Sequence, residues 1–151
     1  MNRVAVTGAI GAVAVVIWGI KLGSPFSIFV DPKAFLMGPV ATAMLLVATF
    51  GAGPLRSALA TGFRLAFAAN PGPVTPGESD QLRRVAVAGI QYATLTGLIG
   101  ALVGLVTMYQ SSHDLTGIGP ALAMAMLSAL YAAITVVGVF YPMVRHATRQ
   151  G

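Results

Sequence analysis

The amino-acid sequence predicts an all-α integral membrane protein with four transmembrane helices, and three observations lead to this prediction. The chain is 56% hydrophobic and only 9% charged, whereas soluble domains carry about 25% charged residues. Two uncharged stretches, Val85–Ser112 and Leu115–Val144, exceed the roughly 20 apolar residues that a helix needs to cross a hydrocarbon core. Two shorter uncharged stretches, Val4–Ile20 and Ala34–Leu55, precede them.

These stretches place four crossings in a single membrane domain, residues 1–151. We number them one to four, at about residues 4–22, 34–50, 85–112 and 115–144. Crossings three and four are longer than a bilayer requires, so we expect them to tilt or to extend into the cytoplasm. Residues 51–84 form a short cytoplasmic connecting region. A helix predicted within it carries Leu55, Leu59, Phe63 and Phe67 on one face, and it either lies on the membrane surface or docks a partner.

The basic residues indicate the topology. Seven of the nine Lys and Arg residues flank the crossings on one side, and only Lys21 and Lys33 lie on the other. The positive-inside rule therefore predicts that both termini are cytoplasmic. The basic residues are scattered at helix ends, a distribution that does not indicate a nucleic-acid-binding surface.

No constellation of an enzyme, metal site or cofactor site is present. The chain has no cysteine, and its acidic residues Asp31, Glu78, Asp80 and Asp114 all lie in predicted loops or at helix ends. His113 and His146 lie at opposite predicted membrane faces, so they cannot share a metal. A proton path usually includes a carboxylate or histidine inside the membrane. Because this chain offers none there, either a partner supplies it or the protein does not translocate protons.

Small residues recur at helical spacing in the last two crossings. The sets are Gly89, Ala93, Gly97, Gly100 and Gly104 in crossing three, and Ala121, Ala125, Ser128, Ala132 and Thr135 in crossing four. Small residues let helix backbones approach closely in lipid. The pattern fits packing of crossing three against crossing four, and it fits equally a face that lines a channel or grips a partner's helix. Transmembrane hydroxyls are the remaining polar groups, and most such hydroxyls bond a carbonyl one turn back.

Two segments of this chain resemble the MotA/TolQ/ExbB family, and within it the flagellar stator A subunits. Ser27–Phe50 contains Asp31-Pro32 and Thr42, as in the first hairpin of that branch. Gly97–Ile134 is similar to the family's third and fourth helices. The matching positions in and after this segment are Gly97, Gly100, Gly104, Gly119, Pro120, Leu130, Tyr131 and Pro142.

The resemblance implies a homo-oligomeric ring, a pentamer, around two single-span helices of a MotB/TolR/ExbD-like partner in the bacterial inner membrane. In that arrangement the partner's aspartate carries the ion, and crossings three and four surround it. The residues implied to line the ion path or the partner are Gly97, Gly100, Ala101, Gly104, Ser128, Ala129 and Tyr131. Asp31, Pro32, Pro120 and Pro142 are implied to shape the helix ends.

Three departures from the family pattern bear on function. The large cytoplasmic domain that contacts the flagellar rotor is reduced to about Gly51–Arg84. The two threonines associated with the ion path align with Ala101 and Ala129, which argues especially against sodium coordination. A proline near the start of crossing three aligns with Thr94. We therefore expect a proton-driven subunit, with a non-conducting membrane scaffold of the same fold as the alternative. A four-helix small-molecule exporter is a weaker reading, because such carriers usually place a charge in the membrane.

Overall fold

The computed structural model describes residues 29–67, 74–110 and 115–147, together with the helical positions 11, 14, 15, 18 and 19. Every regular element in these residues is a helix, which confirms the all-α prediction for this part of the chain. Three helices are long and apolar enough to cross a membrane: Pro32–Phe50, Pro76–Gln110 and Thr116–Arg145. They correspond to crossings two, three and four. Most of predicted crossing one, 4–22, lies outside the described residues.

Crossing two contains a π-helical turn around a proline. It consists of the α-helix Pro32–Phe35, the π-helix Leu36–Val40 and the α-helix Ala41–Phe50. Asp31 caps its start, since the carboxylate accepts a 2.8 Å hydrogen bond from the Lys33 backbone N–H. Pro39 lies within the π-helix, where its missing N–H would otherwise interrupt the α-helical hydrogen bonds. Crossing two ends at Gly51, whose φ of +78° is a conformation that favours glycine.

A connecting helix, Ala52–Phe67, follows directly. Its buried side chains are Leu55, Ala58 and Leu65, and Gly62 lies on the same face against Met143. Phe63 is 56% exposed, so it does not pack into the bundle. The inward face combines two leucines with Ala58 and Gly62, where the small residues allow close contact with crossings three and four.

Crossing three, Pro76–Gln110, is a single helix of 35 residues and is therefore about 50 Å long. It begins nine residues before the predicted start at 85. Thr75 and Glu78 form a reciprocal cap at this end: the Thr75 N–H donates to the Glu78 carboxylate at 2.9 Å, and the Glu78 N–H donates to the Thr75 hydroxyl at 3.4 Å. This charged first turn is suited to lie outside the hydrocarbon.

Crossing four comprises the α-helix Leu115–Thr135, the π-helix Val136–Phe140 and the α-helix Tyr141–Ala147. Its π-helix ends two residues before Pro142, as expected where a proline removes one backbone donor. Near this end a cluster of buried apolar side chains joins the connecting helix to crossings three and four, including Leu55, Leu82, Val85, Phe140 and Met143. The cluster fixes the connecting helix against the bundle.

Candidate partner-facing surface of crossings three and four

Crossings three and four meet along a line of small residues, which we call the seam. A Cβ atom built on Gly104 would lie 2.6 Å from the Ala125 backbone nitrogen, and one on Gly100 would lie 2.7 Å from the Ser128 hydroxyl oxygen. A Cβ on Gly97 would collide with the Cβ of Ala132. The two helix backbones therefore approach as closely as glycine permits, which is how helices associate in lipid.

Four of the seven residues predicted to line an ion path or partner lie inside this seam. Gly97, Gly100, Gly104 and Ser128 are all buried within the subunit. The Ser128 hydroxyl donates to the Met124 carbonyl at 2.8 Å, so it bonds its own helix. In this conformation these four residues set the distance between crossings three and four.

Ala101 and Ala129, which we call the seam rim, are placed differently. Ala101 is half-buried and Ala129 is exposed. Crossing two covers one side of the seam, because a Cβ on Gly100 would lie 3.2 Å from the Met37 Cβ. Thr96, which bonds crossing two, directly precedes a seam residue, whereas each rim alanine directly follows one. At about 100° per residue, preceding and following positions lie on opposite sides of the seam. The seam rim therefore lies on the side of the seam that crossing two leaves open.

Crossing two is joined to crossing three by buried hydroxyl groups. The Thr42 and Thr96 hydroxyl oxygens are 2.9 Å apart, and Thr42 also bonds the Gly38 carbonyl at 2.9 Å within the π-helix. Both threonines are at least 95% buried. The sequence gave no signal for this pair, because a hydroxyl that bonds across helices has the same local pattern as one that bonds its own helix.

Four further threonines in the crossings each donate to the carbonyl four residues earlier, at 2.7–2.8 Å; they are Thr49, Thr94, Thr107 and Thr135. The Thr49 hydroxyl also lies 2.9 Å from the Tyr92 hydroxyl, which makes a second, exposed link between crossings two and three. Thr94 is exposed and lies seven residues before Ala101, which is about two turns away. It therefore lies on the same face of crossing three as Ala101.

Tyr131 of crossing four forms hydrogen bonds at the start of crossing two. Its hydroxyl donates to the Phe29 carbonyl and accepts a 3.2 Å hydrogen bond from the Asp31 N–H. Its ring stands edge-on to Phe35, with centroids 6.2 Å apart. The side chain thus ties crossing four to the cap formed by Asp31 and Pro32, inside the subunit. Pro120 is exposed near the start of crossing four, and Pro142 follows the π-helix.

Comparison with known proteins shows that part of this chain is similar to motility proteins. The chain is 49% identical over 51 residues to the chemotaxis protein PomA of Vibrio alginolyticus, which is 34% of this chain and 20% of PomA. It is 39% identical over 56 residues to motility protein A of Cereibacter sphaeroides, 37% of this chain and 22% of that protein. The matched segments are MotA-like.

The MotA-like similarity confirms the resemblance to flagellar stator A subunits, although no family model matches the chain. A third relative, the uncharacterised protein YtxD of Bacillus subtilis, is 39% identical over 61 residues, 40% of this chain and 22% of YtxD. The matches thus span about a fifth of the length of each relative.

Adding a side chain to the seam should destabilise the protein. We expect Gly104→Ala to lower the free energy of unfolding by about 1–3 kcal/mol, because the new Cβ meets backbone atoms of Ala125 that cannot rotate away. Thermal unfolding in detergent measures the effect. Gly138→Ala is the matched control, since a Cβ there meets no atom within 4 Å. Equal stability of the two variants would contradict the close approach.

The Thr42–Thr96 pair should show energetic coupling. In a double-mutant cycle of Thr42→Val and Thr96→Val, we expect a coupling energy of about 0.5–1.5 kcal/mol. Denaturant titration in mixed micelles measures it. A parallel cycle that pairs Thr96→Val with Thr107→Val should be additive, because Thr107 bonds only the Val103 carbonyl. Additivity in both cycles would rule out the interhelical hydrogen bond.

Tyr131→Phe should loosen the start of crossing two. We expect a loss of about 1–2 kcal/mol in unfolding free energy, since the Phe29 carbonyl and the Asp31 N–H both lose a partner. Protection of the Asp31 N–H from hydrogen exchange should fall as well. Tyr141→Phe, at an exposed position of the same crossing, is the control. Unchanged exchange at Asp31 in the Tyr131 variant would refute the tie.

Proposed function

We propose that this chain is the ring-forming A-type subunit of a proton-driven, MotA/TolQ/ExbB-like energy-transducing complex. The ring, a homopentamer in the bacterial inner membrane with cytoplasmic termini, surrounds the single-span helices of a MotB/TolR/ExbD-like partner. The similarity to PomA and motility protein A supports the class of protein. The accessible seam rim is the structural observation that supports the mode of action.

The seam rim offers a partner helix a close approach. Ala101 and Ala129 present only methyl groups on the open side of crossings three and four. A partner helix that lies there comes within van der Waals contact of both backbones, as small residues allow in lipid. The rim is supported from within the subunit by Gly97, Gly100, Gly104 and Ser128. Tyr131 fixes crossing four to the start of crossing two at Asp31.

The charge distribution favours the proton as the coupling ion. Crossings two to four carry no ionisable side chain at mid-membrane, so the acidic group that carries the ion comes from the partner. A sodium ion needs several oxygen ligands to replace its hydration shell. Thr94 lies on the same face of crossing three as Ala101, and its hydroxyl already donates to the Ile90 carbonyl at 2.8 Å. A carboxylic acid beside methyl groups needs no such ligands.

A non-conducting membrane scaffold is the second candidate. It is favoured by the burial of Gly97, Gly100, Gly104 and Ser128, because packing within the subunit accounts for these small residues without any ion path. The first discriminating observation is whether the neighbouring reading frame encodes a single-span protein with an early membrane aspartate. Native mass spectrometry of the purified complex then reports whether five copies hold such a partner.

Larger side chains at the seam rim should block transport. The chain and its single-span partner are reconstituted into liposomes, and proton flux is followed with a pH-sensitive dye. We expect Ala101→Leu and Ala129→Leu each to reduce flux at least tenfold, because the added atoms fill the space beside the partner's acid. Ala123→Leu, at an exposed position facing away from the rim, is the matched control.

Two results would end the conduction proposal. One is undiminished flux when the partner's membrane aspartate is changed to asparagine. The other is equal flux for Ala101→Leu, Ala129→Leu and Ala123→Leu. A stable complex without flux would instead support the scaffold.

A further inference from the structure

The connecting helix runs across crossing three instead of along it. The Gln81 side-chain amide donates to the Pro54 carbonyl at 2.8 Å and to the Ser57 hydroxyl at 3.1 Å. Eight residues further along, Gly62 packs against Leu82 and Met143. The path from Pro54 to Gly62 is about 12 Å of helix, yet its contacts on crossing three advance by one residue. The connecting helix therefore runs across crossing three.

The depth of this helix corresponds to the headgroup layer. Leu82 and Tyr109 are 27 residues apart in crossing three, which is about 40 Å along the helix. A bilayer including its headgroups is about 40–45 Å thick. Tyr109 is 81% exposed at the far end, where aromatic side chains prefer the membrane interface. With Tyr109 at one interface, the connecting helix lies at the other.

The outward face of the connecting helix is basic. Leu55, Ala58, Gly62 and Leu65 face the bundle, and at about 100° per residue Arg56 and Arg64 lie on the opposite half of the helix. Both arginines are exposed, and they are eight residues, about 12 Å, apart. Phe63 is exposed beside them. A guanidinium donates two parallel hydrogen bonds to a phosphate, which makes arginine well suited to lipid headgroups.

Few acidic groups oppose this face. In the described part of the predicted cytoplasmic side, the charged residues are Arg56, Arg64, Arg83, Arg84, Arg145, Glu78 and Asp80. Asp80 pairs with Arg84 at 2.9 Å. Glu78 interacts electrostatically with Arg64, and its carboxylate is also bonded by the Thr75 N–H and hydroxyl. Five positive and two negative groups leave a net charge of +3, which attracts anionic lipid.

We propose that the outward face of the connecting helix is a binding site for anionic phospholipids of the protein's own bilayer. Arg56 and Arg64 bind the headgroup phosphates, and the Phe63 ring lies at the level of the upper acyl chains. Such contacts fix the depth of the connecting helix in the membrane. The proposal goes beyond ion transport and requires neither a partner nor a ring.

Native mass spectrometry tests the site with defined lipids. The delipidated protein is mixed with phosphatidylglycerol or phosphatidylcholine at equal concentrations, and retained lipid is counted. We expect wild type to retain several-fold more phosphatidylglycerol. A basic residue near an anionic surface contributes about fivefold in affinity. We therefore expect the doubly substituted Arg56→Gln/Arg64→Gln protein to bind phosphatidylglycerol roughly 25-fold more weakly than wild type.

The matched control removes a positive charge at the other predicted membrane face. Lys33→Gln loses one charge from an exposed position at the start of crossing two and should retain phosphatidylglycerol within about twofold of wild type, since surface charges away from a site act weakly. Arg64→Gln, the single variant at the site, should bind phosphatidylglycerol about fivefold more weakly. Circular dichroism verifies that all variants keep the helical content of wild type. The proposal is overturned if wild type retains both lipids equally, if Arg56→Gln/Arg64→Gln binds like wild type, or if Lys33→Gln and Arg64→Gln lose binding alike.

Discussion

The close approach of two helix backbones at the seam determines where the other described elements lie. Hydrocarbon tails are as apolar as leucine, so burial alone gives crossings three and four little reason to associate. Gly97, Gly100 and Gly104 allow dispersion contacts between backbones at a separation that any larger residue would prevent. Once this contact is made, crossing two fits against one side of the seam through Met37 and the Thr42–Thr96 hydrogen bond. The other side, with Ala101 and Ala129, stays open.

Much of this fold could be predicted from the sequence, and the limits have physical causes. Charge-free length predicted crossings two to four, because an uncharged helix of that length suits a bilayer whatever surrounds it. Small-residue spacing predicted that another helix backbone approaches Gly97, Gly100 and Gly104. It did not predict whether that helix belongs to the same subunit or to a partner. A glycine facing its own subunit and one facing a partner have the same spacing, so the pattern left both interpretations open. The structure places these glycines against Ala125, Ser128 and Ala132. Ala129 lies alongside the small-residue pattern of crossing four, whereas only the family resemblance pointed to Ala101.

The connecting helix shows a different limit. The spacing of large apolar residues grouped Leu59 and Phe63 on one face but did not say whether that face meets protein or lipid. Near a headgroup layer two apolar environments are available, the protein interior and the upper part of the bilayer. Leu55 and Leu65 are buried in the first together with Ala58, whereas an aromatic ring suits the second. The exposure of Phe63 beside Arg64 is consistent with that division.

Under the proposed function, the lack of polar side chains at the seam rim determines which protonation state of the partner's acid can lie there. A partner's carboxylate beside Ala101 and Ala129 meets methyl groups, and an apolar environment favours the neutral, protonated acid. The group can therefore occupy the rim only after it has taken up a proton, and it can lose that proton only where water reaches it. A rim lined with threonines would instead stabilise the charged form or a bound cation. Replacing those hydroxyls with methyl groups thus makes protonation a condition for the partner's movement past the subunit, which couples that movement to protons without a titratable residue of this chain at the rim.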